Sequence, residues 1–369
     1  MPDGTTITRR EALKYGALGA ASIYLAGCGS SSKSQGSATG AVTLNWETWN
    51  DHYLNPQLAQ VAKETGITAR PSLENEDSDG FLKIKETGSQ YDIVSADALW
   101  MQKYHSEGLS EPFDIASVAA SSQLYPLARE FSFWQVSGGG YLGYPNGWST
   151  VQFYYDPAKV TTAPTSWHAL TESKFAGKVV AENQPADLMA MAGLATGSKQ
   201  PYNMSTAEIS KAQEFLKAAK PAFLKLVSQN SETVRALADG SASMVICNLG
   251  TQFRVKEAGG PVVKMATPSE GVVGFIDGEQ IVKASHHRNR FPQFMNSMAQ
   301  AKWIAQNFLA NGRPLFNEQA YQLLVNQGYK ERADGLFYNK PERALEMHLK
   351  GPSGNEQAYI DAFNSVFGA

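Results

Sequence analysis

Between residues 42 and 108 the chain switches back and forth between two hydrophobic periods, and few folds accept that. Val42, Leu44 and Trp46 alternate with polar Thr43 and Asn45, the two-residue period of a strand. Leu58, Val61 and Ala62 then recur at helical spacing after Pro56, and Gly66 supplies a stop. Residues 67–73 read as a second strand, and Phe81, Leu82 and Ile84 as a short helix before Gly88. Residues 91–94 form a short buried strand, and 99–107 a helix ending at Gly108. Strand–helix repetition of this kind predicts an α/β lobe with a largely parallel sheet. On such sheets ligands gather beyond the carboxyl ends of strands. Trp46, Trp49 and Asp97 all come at or after strand ends here, so they are expected to share one crevice.

A second block of the same kind follows Tyr144-Pro145-Asn146-Gly147-Trp148. Strands are expected over 151–155, 179–181 and 244–247, with a capped helix start at 165–170 and a helix from Met189. Residues 207–226 are expected to form a helix that Pro221 kinks or breaks. Phe294, Met295, Met298, Ala301, Ile304, Ala305, Phe308 and Leu309 keep one face of a long helix, a core stripe rather than a cofactor box. With 369 residues the chain is too long for one ordinary core, which suggests two lobes.

Before the first strand the pattern is different. Arg9-Arg10 precede a twelve-residue apolar stretch from Gly16 to Gly27, short for a bilayer span but suited to an export signal. Thr8 to Lys14 resembles a twin-arginine signal, with Ala12 where a bulkier apolar residue is commoner, so the general secretory route stays open. Leu25-Ala26-Gly27-Cys28 resembles a lipobox, which makes Cys28 the lipid-bearing first residue of an exported protein. Residues 28–41, rich in Ser and Gly, read as a flexible tether. Loss of residues 1–27 takes away three basic and two acidic residues, turning a net charge of −3 into −4. That balance, with no long basic run, does not indicate a nucleic-acid partner. The second cysteine, Cys247, follows Met244-Val245-Ile246 and reads as a small buried strand residue.

The order of several segments resembles one family. LNWETW, KETGITARPSLENED, YDIVSADALWMQKYHSEGL, GYPNGWSTVQFYYDP, TSWHALTESKFAGKVV, MVICNLGTQF and TPSEGVVGFIDGEQIVKAS follow one another as in the substrate-binding proteins of bacterial ABC importers, the branch that includes spermidine/putrescine-binding proteins. The similarity spans about residues 42 to 310 and loosens beyond. It implies a two-lobe clamp, lobe one from 42–147 plus 275–320 and lobe two from 148–274 plus 321–369. Crossovers are expected near Gly147, Gly274 and Gly312. Ligand would bind between the lobes, hinge bending would close them, and the closed monomer would dock on a membrane permease.

Site residues follow from the resemblance position by position. Trp46 matches a pocket tryptophan and Trp49 falls where the family has a tyrosine; core packing is the alternative for both, and the one that strand pattern alone favours for Trp46. Phe275 replaces a tryptophan, Asp277 matches a carboxylate that grips an amine, and Asp187 falls at another acid. Thr48 and Gln184 stand where acids are expected, Cys247 replaces a tryptophan, Leu99 a tyrosine, and His348 falls near a glutamine. Asp97 adds an acid the family usually lacks; it could instead cap the helix that follows. Trp148 reads as a ligand lid or a hinge filler, and Asp277 could simply turn the chain before Gly278. The implied ligand is a small, polyamine-type amine held by aromatic walls and carboxylates, with no cofactor and no metal; the missing acids leave open a quaternary ammonium or another small polar solute.

Other motifs point elsewhere only formally. Residues 75–86 approach a calcium-loop spacing, but Asn75 and Lys83 are poor ligands there, and a solvated acidic loop is the plainer reading. Gly138 to Gly143 matches G-x-G-x-x-G without the required strand and helix around it. No nucleophile–base or zinc motif occurs, which argues against a secreted enzyme. A sensor that hands its closed form to a signalling receptor is the other alternative.

Overall fold

The computed structural model describes residues 40–74, 76–137 and 139–368. The export signal, Cys28 and nearly all of the expected tether lie outside them, as do Asn75 and Gly138. The first lobe opens with β1 (Val42–Thr48), α1 (Asn55–Thr65), β2 (Ile67–Leu73), α2 (Asp77–Thr87), β3 (Ile93–Asp97) and α3 (Ala98–Ser106). Gly66 ends α1 in the left-handed conformation at φ 69°, which a Cβ would resist. Two small elements, β4 (Ser110–Glu111) and α4 (Pro126–Glu130), precede the long β5 (Tyr144–Tyr155). The second lobe holds β6 (Val179–Glu182), α5 (Pro185–Ala195), α6 (Thr206–Ala219), β7 (Phe223–Val227), α7 (Asn230–Ala238), β8 (Met244–Asn248), α8 (Thr251–Glu257) and β9 (Lys264–Ala266). Strand β10 (Val273–Val282) returns to the first lobe, followed by α9 (Phe291–Met298), α10 (Ala301–Asn311), α11 (Glu318–Asn326) and α12 (Lys330–Gly335). The short β11 (His348–Leu349) and α13 (Glu356–Phe367) close the chain. No helix among the described residues is long and apolar enough to cross a membrane.

The strands run in the order β2-β1-β3-β10-β5-β8-β6-β7. Each flank is parallel: β2, β1 and β3 on one side, β8, β6 and β7 on the other. The two central strands, β10 and β5, are antiparallel to each other and to the flanks they join. Gly147 and Gly274, at which crossovers were expected, sit inside these two strands. A Cβ at Gly274 would lie 2.4 Å from Ser149 O, and one at Gly147 would lie 2.7 Å from Pro314 O. Backbone passes too close at these points for any side chain.

Two helix expectations need correction. The helix over 207–226 ends at Ala219; Lys220–Ala222 form a single tight turn at Pro221, and Phe223–Val227 become strand β7 beside β6. The long helix over 294–309 is two helices, because Gln300 turns extended (φ −61°, ψ 132°) between α9 and α10. Gln57 donates to Met298 O at 2.8 Å, satisfying a carbonyl freed by that break. Tyr338 packs on Phe308 (ring centroids 5.0 Å apart) and on Tyr321, which keeps α11 and α12 with α10. The return to the second lobe comes with β11, after which Phe367 packs on Phe223 and Tyr359 donates to Pro201 O.

Candidate functional site

Two groups of charged side chains meet where the lobes face each other, around Phe275 near the start of β10. The first lies on the first-lobe side of the crossing strands. Asp277 is 1% exposed and accepts hydrogen bonds from the Gly147 amide (3.1 Å) and from Arg313. His52 Nε2 approaches the same carboxylate at 3.4 Å, while its Nδ1 lies 2.7 Å from Glu279 Oε1. Arg313 also reaches Asp51 with Nε at 3.1 Å. Its position is fixed by neighbours: Gly312 ends α10 in the left-handed conformation, and Pro314 restricts Arg313 to extended backbone. Burial alone would depress His52, but Asp277 and then Glu279 outweigh it and raise its pKa to about 9. Burial works against the Asp277 charge, yet Arg313 and His52 hold its carboxyl below the ordinary range.

The second group spans the gap. Asp77 opens α2 and accepts from the Asp97 amide at 2.9 Å. Asp97 occupies the N-cap position of α3, but its side chain makes no capping bond, which corrects the plainer of the two readings. Burial, then the Asp77 charge, raises the Asp97 pKa well above its usual value. Burial likewise lifts Asp77 to about 6, and burial followed by Asp187 lifts Glu76 to about 7. From the second lobe, Asp187 in the first turn of α5 accepts from Tyr202 Oη at 2.7 Å and is ion-paired with Lys350. Lys350 also donates to Gln184 Oε1 at 3.2 Å. Its amide is tied to Gly274 O at 2.8 Å, continuing the β10–β11 pairing. Burial would discharge Lys350, but Asp187 and Asp97 keep it protonated. The lobes touch here: a Cβ at Gly351 would fall 2.7 Å from that of Leu99.

Phe275 joins the two groups. Lys350 Nζ lies 5.6 Å from its ring centroid and Arg313 Cζ 5.9 Å. Trp49 is half-buried beyond the end of β1, its ring 5.1 Å from that of His52. So the structure brings together Trp49, Asp97, Gln184, Asp187, Phe275 and Asp277.

The other expected site residues are placed differently. Trp46 is 1% exposed and belongs to the first-lobe core, packed on Phe294 (5.6 Å, edge to face) and Tyr53. Its indole N–H is satisfied by Ser95 Oγ (3.0 Å) and Glu279 Oε2 (3.1 Å). The cavity beside it, with His52 and Met298 among its walls, measures only about 20 Å³, room for about one water and not for a solute. Trp148 is buried within β5 beside Pro314, a hinge filler and not a lid. Cys247 sits in a separate second-lobe cluster with Tyr154, Val180 and Val255, its sulfur 2.9 Å from Thr233 Oγ1. The wall reading of Trp46 and Cys247 is thereby corrected: strand alternation turns both side chains into the layers beneath the helices. His348 pairs with Val273 two residues before Lys350, and it is the lysine that reaches the acids.

Arg313, Lys350 and His52 were not singled out by sequence reasoning, and Glu76 and Asp77, read there only as part of a solvated acidic loop, are half-buried at the start of α2. One signal was present: Gly312-Arg313-Pro314 and Lys350-Gly351-Pro352 each set a cation against residues that fix the backbone.

The fold and the inter-lobe site define a two-lobe solute-binding clamp. Residues 58–331 match the family model for bacterial extracellular solute-binding proteins, and the chain belongs to that family. It is 23% identical over 296 residues to spermidine/putrescine-binding periplasmic protein 1 of Haemophilus influenzae, covering 77% of this chain and 78% of that protein. To the spermidine/putrescine-binding periplasmic protein of Escherichia coli it is 24% identical over 297 residues, covering 76% and 80%. A Listeria monocytogenes structure described as a spermidine/putrescine ABC transporter superposes with a TM-score of 0.77 at 19% identity, over 88% of this chain and 98% of that one.

Proposed function

We propose that this protein is the extracytoplasmic receptor of an ABC importer, capturing a small amine-like solute of polyamine type between its lobes and delivering it to a membrane permease. The observation that carries this reading is the acid surplus in the gap. Glu76, Asp77 and Asp97 face Asp187 across the lobes, with Lys350 the cation paired within that group. Carboxyls crowded and desolvated in this way hold protons until a cation arrives, and an ammonium group supplies it. The spermidine/putrescine relatives support the same ligand class. Trp49 and Phe275 serve as aromatic walls, each contributing roughly 0.5–2 kcal/mol to a desolvated cation. Asp97, Asp187 and Gln184 are the polar contacts, and Asp277 organises the hinge side.

In this reading the clamp lobes are 42–147 with 275–345, and 148–274 with the tail from β11 onward. The protein acts as a monomer held to the membrane by lipid on Cys28. A thermal-shift series with spermidine, putrescine, sugars and divalent ions tests the ligand class. A ligand at a hundred times its Kd should add about 2.7 kcal/mol of stability. A shift with a sugar and none with any amine removes the reading. Membrane partitioning of Cys28→Ser tests the anchor: undiminished membrane association would rule it out.

A further inference from the structure

The amine reading leaves one feature unused. Two carboxylates on the walls beside Phe275 are already occupied by cations of the chain itself. Asp277 is held by Arg313, by the Gly147 amide and by His52. Asp187 is held by Lys350 and Tyr202. A diamine laid along Phe275 would therefore place positive charge beside Lys350 at 5.6 Å and Arg313 at 5.9 Å from the same ring. Yet both cations retain donors. Arg313 Nη2 is buried with no hydrogen-bond partner. Lys350, with three N–H groups, bonds to Asp187 and Gln184. A buried donor without an acceptor is costly, and an arriving anion removes that cost.

Across the gap the demand is opposite: Asp77 and Asp97 meet directly, Asp77 Oδ1 lying 2.9 Å from the Asp97 amide, and Glu76 faces Asp187. A plain diamine satisfies only that side, and a plain carboxylate only the side of Lys350 and Arg313. We propose that the solute is an amino-carboxylate, with its ammonium on the Asp77–Asp97 wall and its carboxylate between Lys350 and Arg313 over Phe275. This rests on the amine reading and narrows it: the ligand is a zwitterion rather than a bare polyamine.

The test is calorimetric titration of the whole protein with pairs that differ by one carboxylate: putrescine against ornithine, cadaverine against lysine, agmatine against arginine. Valerate serves as the carboxylate without an amine. In at least one pair the carboxylated member should bind about tenfold tighter or better. If the bare amine binds as tightly as its partner in every pair, the zwitterion inference is overturned while the amine reading stands. If valerate equals ornithine, the amine reading is overturned and the zwitterion with it. No binding by any of the seven overturns both. In Lys350→Gln the preference within the responding pair should shrink to about threefold or less, whereas Lys350→Arg should keep it. An unchanged preference in Lys350→Gln would remove the lysine from the carboxylate site. If that variant does not fold, the wild-type pairs decide the inference alone.

Discussion

The two charged clusters that flank Phe275 both set carboxylates against cations, and they behave oppositely. In the hinge cluster, Asp277 and Glu279 are matched by Arg313 and His52; the pKa of Asp277 moves down and those of His52 and Arg313 move up, so these three stay charged. In the gap cluster, Asp77, Asp97 and Glu76 outnumber Lys350, and their pKa values move toward neutrality. Charges that are paired while buried belong to the folded scaffold; acids left crowded belong to whatever arrives later. A carboxylate at a family binding position is thus not by itself a ligand contact. The decisive question is whether the chain brings its own cation to it.

That contrast can be broken most forcefully at Arg313. Arg313→Met leaves Asp277 buried without its main partner, and removing one side of a buried pair costs about 3–5 kcal/mol. Denaturant titration should show that loss, and pairing the change with Asp277→Asn should recover much of it. If Arg313→Met were nearly neutral for stability, the buried charge of Asp277 would not depend on Arg313.

The next largest effect is set by pH. His52 is raised from 6.5 to about 9 in the folded protein, so its contribution is complete below about pH 6.5 and disappears as pH rises through about 9. The size is on the order of 3 kcal/mol. Asp277 has the reverse sign: its lowered pKa gives stability above the ordinary carboxylate range, lost as pH falls through the folded value. Urea midpoints at pH 6, 8 and 9.5 should decline, and His52→Gln should flatten the decline. A midpoint that does not fall between pH 8 and 9.5 would place His52 outside the network.

The fold was largely legible in sequence because strand and helix periods were clean from Val42 to Gly108. It failed where local pattern was ambiguous. Phe223–Val227 is only five residues after a proline, and its strand character comes from pairing with β6, not from its own composition. Between α9 and α10 neither Gly nor Pro marks the break at Gln300. The site was half legible. Acids and aromatics carried a family pattern, whereas Arg313 and Lys350 meet Phe275 only through the return of two distant loops. Trp46 was misplaced for a related reason: its position near a strand end suggested the crevice, but alternation with Leu44 already put it on the core face.

A smaller effect sharpens the other half of the contrast. Asp97→Asn removes a buried carboxyl whose charge is disfavoured by burial and by Asp77. Stability should rise by about 1 kcal/mol, while affinity for the amine-bearing ligand should drop about tenfold. Titration in buffers of different ionisation enthalpy should also show protons released when wild type binds ligand at pH 6, and fewer released by Asp97→Asn. Unchanged affinity would return Asp97 to a purely architectural role.

The smallest effect separates wall from core at Trp46. Trp46→Phe keeps most of the ring packed on Phe294 and Tyr53 but removes the N–H shared by Ser95 and Glu279. Glu279 keeps Ser95 Oγ, at 2.6 Å, and His52, so no carboxylate is stranded. The loss should be about 1 kcal/mol of stability, the ordinary net worth of such a bond. Ligand affinity should stay within about twofold of wild type, because the indole lies behind the strand and not beside Phe275. A large affinity loss at unchanged stability would mean that Trp46 reaches the ligand after all.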